Sequence, residues 1–268
     1  MAVALVTGSS RGIGLAAAVE LAKRGFDVAL AARTLHPGQG RDDGDFHPGR
    51  VIEGSLEEAA RAVESHGVRA FPVRLDLLEP DSVDGCVAAV LAEFGRLDVL
   101  VNNATLHAGS NTRIADLTRK QVEDFAQAAF VAPLLLVKHA LAAMVAQGGG
   151  RIINVASAAG LNDPPAAPGE GGWGVLYGMA KAGQYRIAGL VRAEYPDSGI
   201  ACFSLSPGFV KTPVISKLPV FESAPEGVPA SVPGRVIAWL ASADEAVQYS
   251  RQFIDVPEFA LEHHLAQA

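Results

Sequence analysis

Thr7-Gly8-Ser9-Ser10-Arg11-Gly12-Ile13-Gly14 is the stretch that decides the fold. A short apolar run, Ala2–Val6, precedes it, and a helical pattern, Ile13–Arg24, follows. Each glycine has a mechanical use in a strand-to-helix turn. The first permits the tight turn, the second lets backbone approach a pyrophosphate, and the third lets helix and strand pack closely. The helix N-terminus then offers free N–H groups and a positive dipole end to phosphates. An ordinary tight βα turn is the plain alternative. A P-loop is excluded, because Leu15 and Ala16 stand where Lys and Ser or Thr are needed. Gly8-Ser9-Ser10-Arg11-Gly12 also fits the nucleophile elbow G-x-S-x-G, with Ser10 as a hydrolase nucleophile. That elbow follows several strands, whereas this turn follows the first, so the hydrolase reading is the minor one.

Working outward, short β-branched runs alternate with helical patterns. The expected strands are Ala2–Val6, Val28–Ala31, Ala70–Leu75, Val99–Val101, Arg151–Val155, Ala201–Leu205 and Phe253–Val256. The expected helices are Ile13–Arg24, Leu56–Ser65, Ser82–Phe94, Val122–Ala146, Tyr177–Tyr195 and Gly234–Ala241. Ser55 and Glu58 form a capping-box pattern, and Pro80 with Asp81 opens the next helix. Continuous apolar strands separated by helices predict an α/β fold. It is a single Rossmann domain over 1–268, a doubly wound parallel sheet of about seven strands with helices on both faces. Three Gly- and Pro-rich stretches break the rhythm: His36–Gly54, Leu161–Gly174 and Val214–Pro233. Loops this long in a compact domain usually serve function, and the last two (161–174 and 214–233) are expected to border a substrate pocket.

The balance of 22 Lys and Arg against 29 Asp and Glu gives a formal charge of −7. An acidic chain argues against nucleic acid as a partner, since phosphate grooves need a basic footprint. Two cysteines, Cys86 and Cys202, make neither a disulfide framework nor a Cys-rich zinc site. The longest apolar run, around Ala128–Val137, ends at Lys138. It falls short of the roughly 18 residues of a membrane span. Val3–Val6 begins directly after Met1, which leaves no leader in the expected reading. The expectation is a cytoplasmic protein with no membrane and no metal.

Two further places carry chemistry. The second strand ends in Ala32-Arg33, where a chain preferring NAD normally has an acid for the ribose 2′-OH. Arg33 and Arg11 suit a 2′-phosphate instead, so NADP(H) is expected over NAD(H). Two solvated arginines are the plain alternative. Tyr177-Gly178-Met179-Ala180-Lys181 puts a phenol and an ammonium at i and i+4, on one helix face. A neighbouring cation favours phenolate and draws the phenol pKa down from about 10 toward the working pH. Such a pair suits proton exchange opposite a hydride carrier, although a surface pair has the same spacing. Ser157 ends the strand Arg151–Val155, on the side where active-site groups gather in doubly wound sheets.

In this order the features resemble the short-chain dehydrogenase/reductase family over nearly the whole chain. Gly8, Ser10, Arg11, Gly12, Ile13 and Gly14 are similar to its cofactor loop. Arg33 is similar to its NADP-selecting residue, Asp76-Leu77 to its pair near the adenine, and Asn102-Asn103-Ala104 to its central Asn-Asn-Ala segment. Pro207, Gly208, Val210 and Thr212 resemble its segment beside the nicotinamide. The resemblance implies Ser157, Tyr177 and Lys181 as catalytic residues. Tyr177 is then the general acid in reduction, Lys181 lowers its pKa and holds the nicotinamide ribose, and Ser157 bonds the substrate oxygen. It implies an NADP(H)-dependent oxidoreductase moving a hydride between nicotinamide and a carbonyl or secondary alcohol of a small, apolar substrate. A homodimer or homotetramer is implied as well.

The chain also departs from the family. Ala129 falls where the family has a catalytic Asn, and no Asn occurs between Asn111 and Asn154. Thr105 replaces a Gly, and 20 residues separate Ser157 from Tyr177, more than in the family. Asp255-Val256-Pro257-Glu258 stands in place of an Asp-Gly-Gly. The missing Asn keeps open a second reading, a catalytically weakened NADP(H)-binding sensor or scaffold. His263-His264 read as a solvated tail, Cys86 and Cys202 as buried inert thiols, and Glu57-Glu58 and Asp42-Asp43 as solvated charges.

Overall fold

A computed structural model describes residues 1–210, 212–213 and 227–267. Lys211 and residues 214–226 lie outside them, and with them the apolar loop residues Leu218, Val220 and Phe221. One sheet runs through the molecule. Its strands are β1 (Val3–Thr7), β2 (Asp27–Ala32), β3 (Ala70–Arg74), β4 (Val99–Asn102), β5 (Gly150–Val155), β6 (Ile200–Ser206) and β7 (Phe253–Asp255). They are ordered β3-β2-β1-β4-β5-β6-β7, and every pairing is parallel. The order reverses between β1 and β4, which leaves a crevice at the carboxyl ends of these two strands.

The period of two along each strand divides the core between the faces. From β1, Ala4 and Val6 point to a layer built by α1 (Gly12–Lys23), α2 (Leu56–Glu64), α7 (Ser231–Ser242) and α8 (Val256–Glu262). Val3 and Leu5 point to the opposite layer, built by α3 (Pro80–Phe94), α5 (Ala132–Ala146) and α6 (Val175–Glu194). Burial on both faces is why these strands read as unbroken apolar runs. The expected doubly wound Rossmann architecture is thus present, with seven strands.

The differences are local. The helix expected over Val122–Ala146 begins at Arg119, as α4 (Arg119–Ala126), and passes through one π turn, Gln127–Val131, into α5. Thr118 and Gln121 form a capping box there that the apolar pattern does not reveal. The stretch Arg119–Ala146 carries an 18-residue window of mean hydropathy 1.9. By length and composition that is enough to cross a membrane, which corrects the expectation that no segment suffices. Half of that window is buried in the protein, where α5 lies against α3 and Leu136, Ala140 and Met144 join the core. α7 starts three residues earlier than expected, since Pro233 is tolerated in a first helical turn. Val256 leaves the last strand and opens α8, where Asp255 accepts the Glu258 N–H and Pro257 sits in the first turn. His263 is not a solvated tail residue. Its ring stacks on Phe259 at 4.1 Å and lies against Trp239 and Tyr249.

Candidate active site

The carboxyl ends of β1, β2, β4, β5 and β6 open onto one cleft of about 250 Å³. Gly8, Ser10, Arg11, Gly12 and Ile13 line one wall. Gly14 stands behind them, where a Cβ would lie 2.3 Å from the Gly8 carbonyl oxygen, so only glycine lets α1 pack on this turn. Arg11 is the N-cap of α1 and makes no side-chain cap, which leaves the first-turn N–H groups without that partner. The central Asn segment braces the turn. Thr7 Oγ1 donates to the Val101 carbonyl and accepts the N–H groups of Asn103 and Ala104, each at 3.0 Å. Asn103 Nδ2 donates to the Thr7 carbonyl at 2.9 Å. Pro207, Gly208, Val210 and Thr212 also line the cleft, with Thr212 against Gly12 and Val210 bridged to Val228.

Ala32, Arg33, Asp76 and Leu77 form one end of the cleft. Asp76 spends one carboxylate oxygen on the Leu78 N–H at 3.0 Å, which fixes its loop. Both arginines expected to face a 2′-phosphate are here, but neither is simply solvated. Arg11 donates from Nε to the Glu53 carbonyl and from Nη2 to the Gly54 carbonyl, each at 2.8 Å, and to Thr34 Oγ1 at 3.2 Å. Burial, and then the nearby Arg33, pull its guanidinium below the ordinary value. Arg33 Nη2 meets Asp43 Oδ2 at 2.8 Å. This corrects the reading of Asp42-Asp43 as solvated charges: Asp42 is buried and paired with Arg50 at 2.8 Å. His36–Gly54 is therefore a folded strap against the glycine turn, closed by the antiparallel bridge Arg41–Val51.

The other end holds Tyr177 and Lys181, both on the cleft wall and both from α6. Ser157 lies behind the wall at the end of β5. It lies near enough to Tyr177 to act on the phenol, and its Oγ accepts the Ala159 N–H at 3.2 Å. Lys181 Nζ lies 5.7 Å from the centre of the Tyr177 ring, as one helical turn requires. The charge relationship differs from expectation. Burial pushes the Tyr177 phenol above its ordinary value, with Ser157 acting the other way. Lys181 Nζ is turned to the Val155 carbonyl at 3.1 Å and Gln184 Oε1 at 3.0 Å. Burial brings Lys181 itself down to about 8.

Ala129, expected at the place of the family's Asn, packs with Leu106, Phe125, Leu176 and Ala180. The π turn presents Ala128 to the cleft instead. Gln127 Nε2 donates to the carbonyl of Leu77, one of the residues at the cleft's end, at 3.2 Å. Three site residues escaped the sequence reading. Gln184 is buried three residues after Lys181, and that i, i+3 spacing was the available signal. His107 lines the cleft among Asp43, Asp42, Lys181 and Arg33, with burial holding its imidazole below 6.5. Asp43 reaches Arg33 through a loop. No local pattern marks either of the last two. Among the described residues no group of three His, Cys, Asp or Glu side chains is arranged for a metal. Cys86 and Cys202 are buried thiols pushed up to about 12.

A cleft at the sheet's switch point, a helix N-terminus opening onto it and glycines that admit no side chain fit a dinucleotide. Comparisons with known proteins agree. A model of the short chain dehydrogenase family matches residues 2–40 and 50–222, leaving out only 41–49 of the strap within that span. A cis-4-hydroxycyclohexanecarboxylate dehydrogenase of Sinomonas cyclohexanicum is 35% identical over 217 residues, covering 81% of this chain and 76% of that protein. A 2-(R)-hydroxypropyl-CoM dehydrogenase of Xanthobacter autotrophicus is 31% identical over 252 residues, 92% of this chain and 90% of its own. The crystal structure of an actinorhodin polyketide ketoreductase with NADPH superimposes with a TM-score of 0.77 at 26% identity, covering 95% of each chain. A glycine turn, a cleft and a helix-borne Tyr and Lys thus coincide with a family match over most of the sequence, and the chain belongs to the short-chain dehydrogenases, oxidoreductases that act on CH–OH groups with a nicotinamide cofactor.

Proposed function

We propose that the protein is an NADP(H)-dependent oxidoreductase that interconverts a small secondary alcohol and its ketone. The observation that carries the reading is one cleft with Tyr177 and Lys181 at one end and Arg11 and Arg33 at the other. Phosphate-binding groups and a proton donor are thus spaced along a single groove. Bound nicotinamide supplies or accepts the hydride at its C4. Tyr177 Oη passes its proton to the substrate oxygen in reduction and takes it back in oxidation. Ser157, whose hydroxyl lies near Tyr177, holds that oxygen beside the phenol. Lys181, the nearest ammonium, restores the proton to the phenolate. Asn103 and Ala104 keep the glycine turn in shape beneath the dinucleotide.

Arg11 and Arg33 together with Ala32 favour a 2′-phosphate over a bare ribose, since one charge-assisted hydrogen bond contributes about 1.5–3 kcal/mol. Two matched relatives carry the names of dehydrogenases of hydroxylated substrates, one of them a substituted cyclohexane. This supports a cyclic or short-chain secondary alcohol here. Phe130 and Leu134 on the α4–α5 helix, with Met179 and Leu190 on α6, expose apolar surface, which supports a homodimer or homotetramer. The test is hydride transfer from NADPH and NADH to a panel of cyclohexanones and short ketones. A higher kcat/KM with NADPH supports the reading, and a clear preference for NADH removes the NADP(H) assignment.

A second reading keeps the coenzyme and drops efficient turnover. It is favoured by the apolar Ala128 and Ala129, which put no proton-carrying side chain at the place of the family's Asn. NADPH binding without reduction of any ketone in the panel would select it.

A further inference from the structure

We propose that Asp43 sets the balance between the two dinucleotides, its carboxylate competing with a ribose 2′-phosphate for Arg33. The inference rests on the reading of the cleft as a nicotinamide dinucleotide site, and it concerns a residue outside the frame shared with the family. The family match breaks at residues 41–49, which include Asp43. At the end of β2, where an acid would select NAD, this chain has Ala32. The strap returns an acid to the same place in space. Asp43 lines the cleft beside Arg33 and Arg11, and its Oδ2 lies 2.8 Å from Arg33 Nη2.

The strap holds that carboxylate in position from both sides. Asp42 is buried, accepts from Arg50 at 2.8 Å and from the Gly44 N–H at 2.9 Å, and so fixes the tip of the strap. Asp45 reaches the loop after β4 and accepts the N–H groups of Gly109 and Asn111 at 2.5 and 2.8 Å. At its base the strap is tied to Arg11 through the Glu53 and Gly54 carbonyls. Gly54, at φ +99, sits so close to the Ser10 carbonyl that a Cβ would lie 2.5 Å from it. Asp43 is therefore not a side chain on a free loop. A 2′-phosphate arriving at Arg33 must displace a placed carboxylate and bear its repulsion. A 2′-hydroxyl instead donates a hydrogen bond to that carboxylate and leaves the Arg33 pair in place.

The test is direct binding of NADPH and NADH, followed by nucleotide fluorescence, in the full-length protein and in Asp43→Asn, Asp43→Ser, Arg33→Ala and Arg33→Ala/Asp43→Asn variants. Thermal melts check that each variant is folded. The pair is partly exposed, so a moderate effect is expected. Asp43→Asn and Asp43→Ser tighten NADPH roughly tenfold and leave NADH unchanged or weaker. The gain shrinks to under about threefold in the Arg33→Ala background. An unchanged ratio of the two Kd values in both Asp43 variants overturns the inference while the coenzyme reading stands. A gain of the same size without Arg33 also overturns it. Binding of neither dinucleotide to any of the proteins removes the coenzyme reading, and this inference with it.

Discussion

Lys181 Nζ donates to Gln184 Oε1 at 3.0 Å, three residues along the same helix, with both side chains buried. The bond gives the ammonium a neutral acceptor in a site whose burial disfavours its charge. It also turns Nζ toward the sheet, where the Val155 carbonyl is the second acceptor. Gln184 thereby positions the cation whose neighbour is Tyr177.

Replacing Gln184 with Leu keeps the side-chain bulk and removes the acceptor. The charged form of Lys181 loses a partner, so its pKa falls further below about 8. The limb of the kcat/KM profile that Lys181 governs is expected to move to lower pH, with a loss of about tenfold at neutral pH. Gln184→Glu restores an acceptor and is expected to move the limb the other way. Superimposable profiles for all three proteins would leave Gln184 a packing residue.

Tyr177→Phe deletes the phenolic oxygen and keeps the ring beside Lys181. Loss of a general acid of this kind lowers turnover by about 10²- to 10⁴-fold. Dinucleotide binding, measured separately by fluorescence, is expected to stay within about threefold. Unaltered turnover would remove Tyr177 as the proton donor.

Lys181 also sets a pH dependence of stability. Its pKa in the folded protein is about 8, below its ordinary 10.5. Between those values the unfolded chain holds a proton that the native chain has released, so stability rises with pH through this window. The contribution is fully present above 10.5 and is lost as pH falls through about 8. Relative to Lys181→Met, the wild type should gain about 3 kcal/mol in unfolding free energy between pH 7 and pH 10.5. Urea denaturation of the two proteins across that range measures it, and parallel curves would contradict the burial argument.

Asp45→Asn tests the strap's far anchor. Its carboxylate accepts two backbone N–H groups, from Gly109 and Asn111, and its neutral amide replacement weakens both bonds by a total of about 1–3 kcal/mol. Amide exchange at residues 109 and 111 is expected to speed up about ten- to a hundredfold, with exchange in β1 and β4 unchanged. Equal protection in both proteins would mean that the strap is held by Asp42 and Arg11 alone.

The sequence by itself determined what depends on residues within about one helical turn of each other. The glycine turn between β1 and α1 was legible because each glycine answers a local steric demand, as the 2.3 Å approach at Gly14 illustrates. Ser55 was legible as the N-cap of α2 for the same reason, since its Oγ accepts the Glu58 N–H three residues on; the full box did not form, because the Glu58 carboxylate takes the Ser55 hydroxyl rather than its backbone N–H. Tyr177 and Lys181 share a face because a helix turns every 3.6 residues, and unbroken apolar strands marked a sheet covered on both sides.

Only the tertiary structure decided contacts that close over long stretches of chain. Asp43 meets Arg33, and Asp45 meets Gly109 and Asn111 more than sixty residues away. A Gly- and Asp-rich segment carries no periodicity from which such partners can be read. The π turn at Gln127–Val131 put Ala128 rather than Ala129 on the cleft wall. The direction of the Lys181 side chain was likewise fixed by the Val155 carbonyl on a neighbouring strand. Spacing placed the ammonium near Tyr177, but burial and its acceptors decided which way it points, because a desolvated charge turns to whichever hydrogen-bond partners the fold brings within reach.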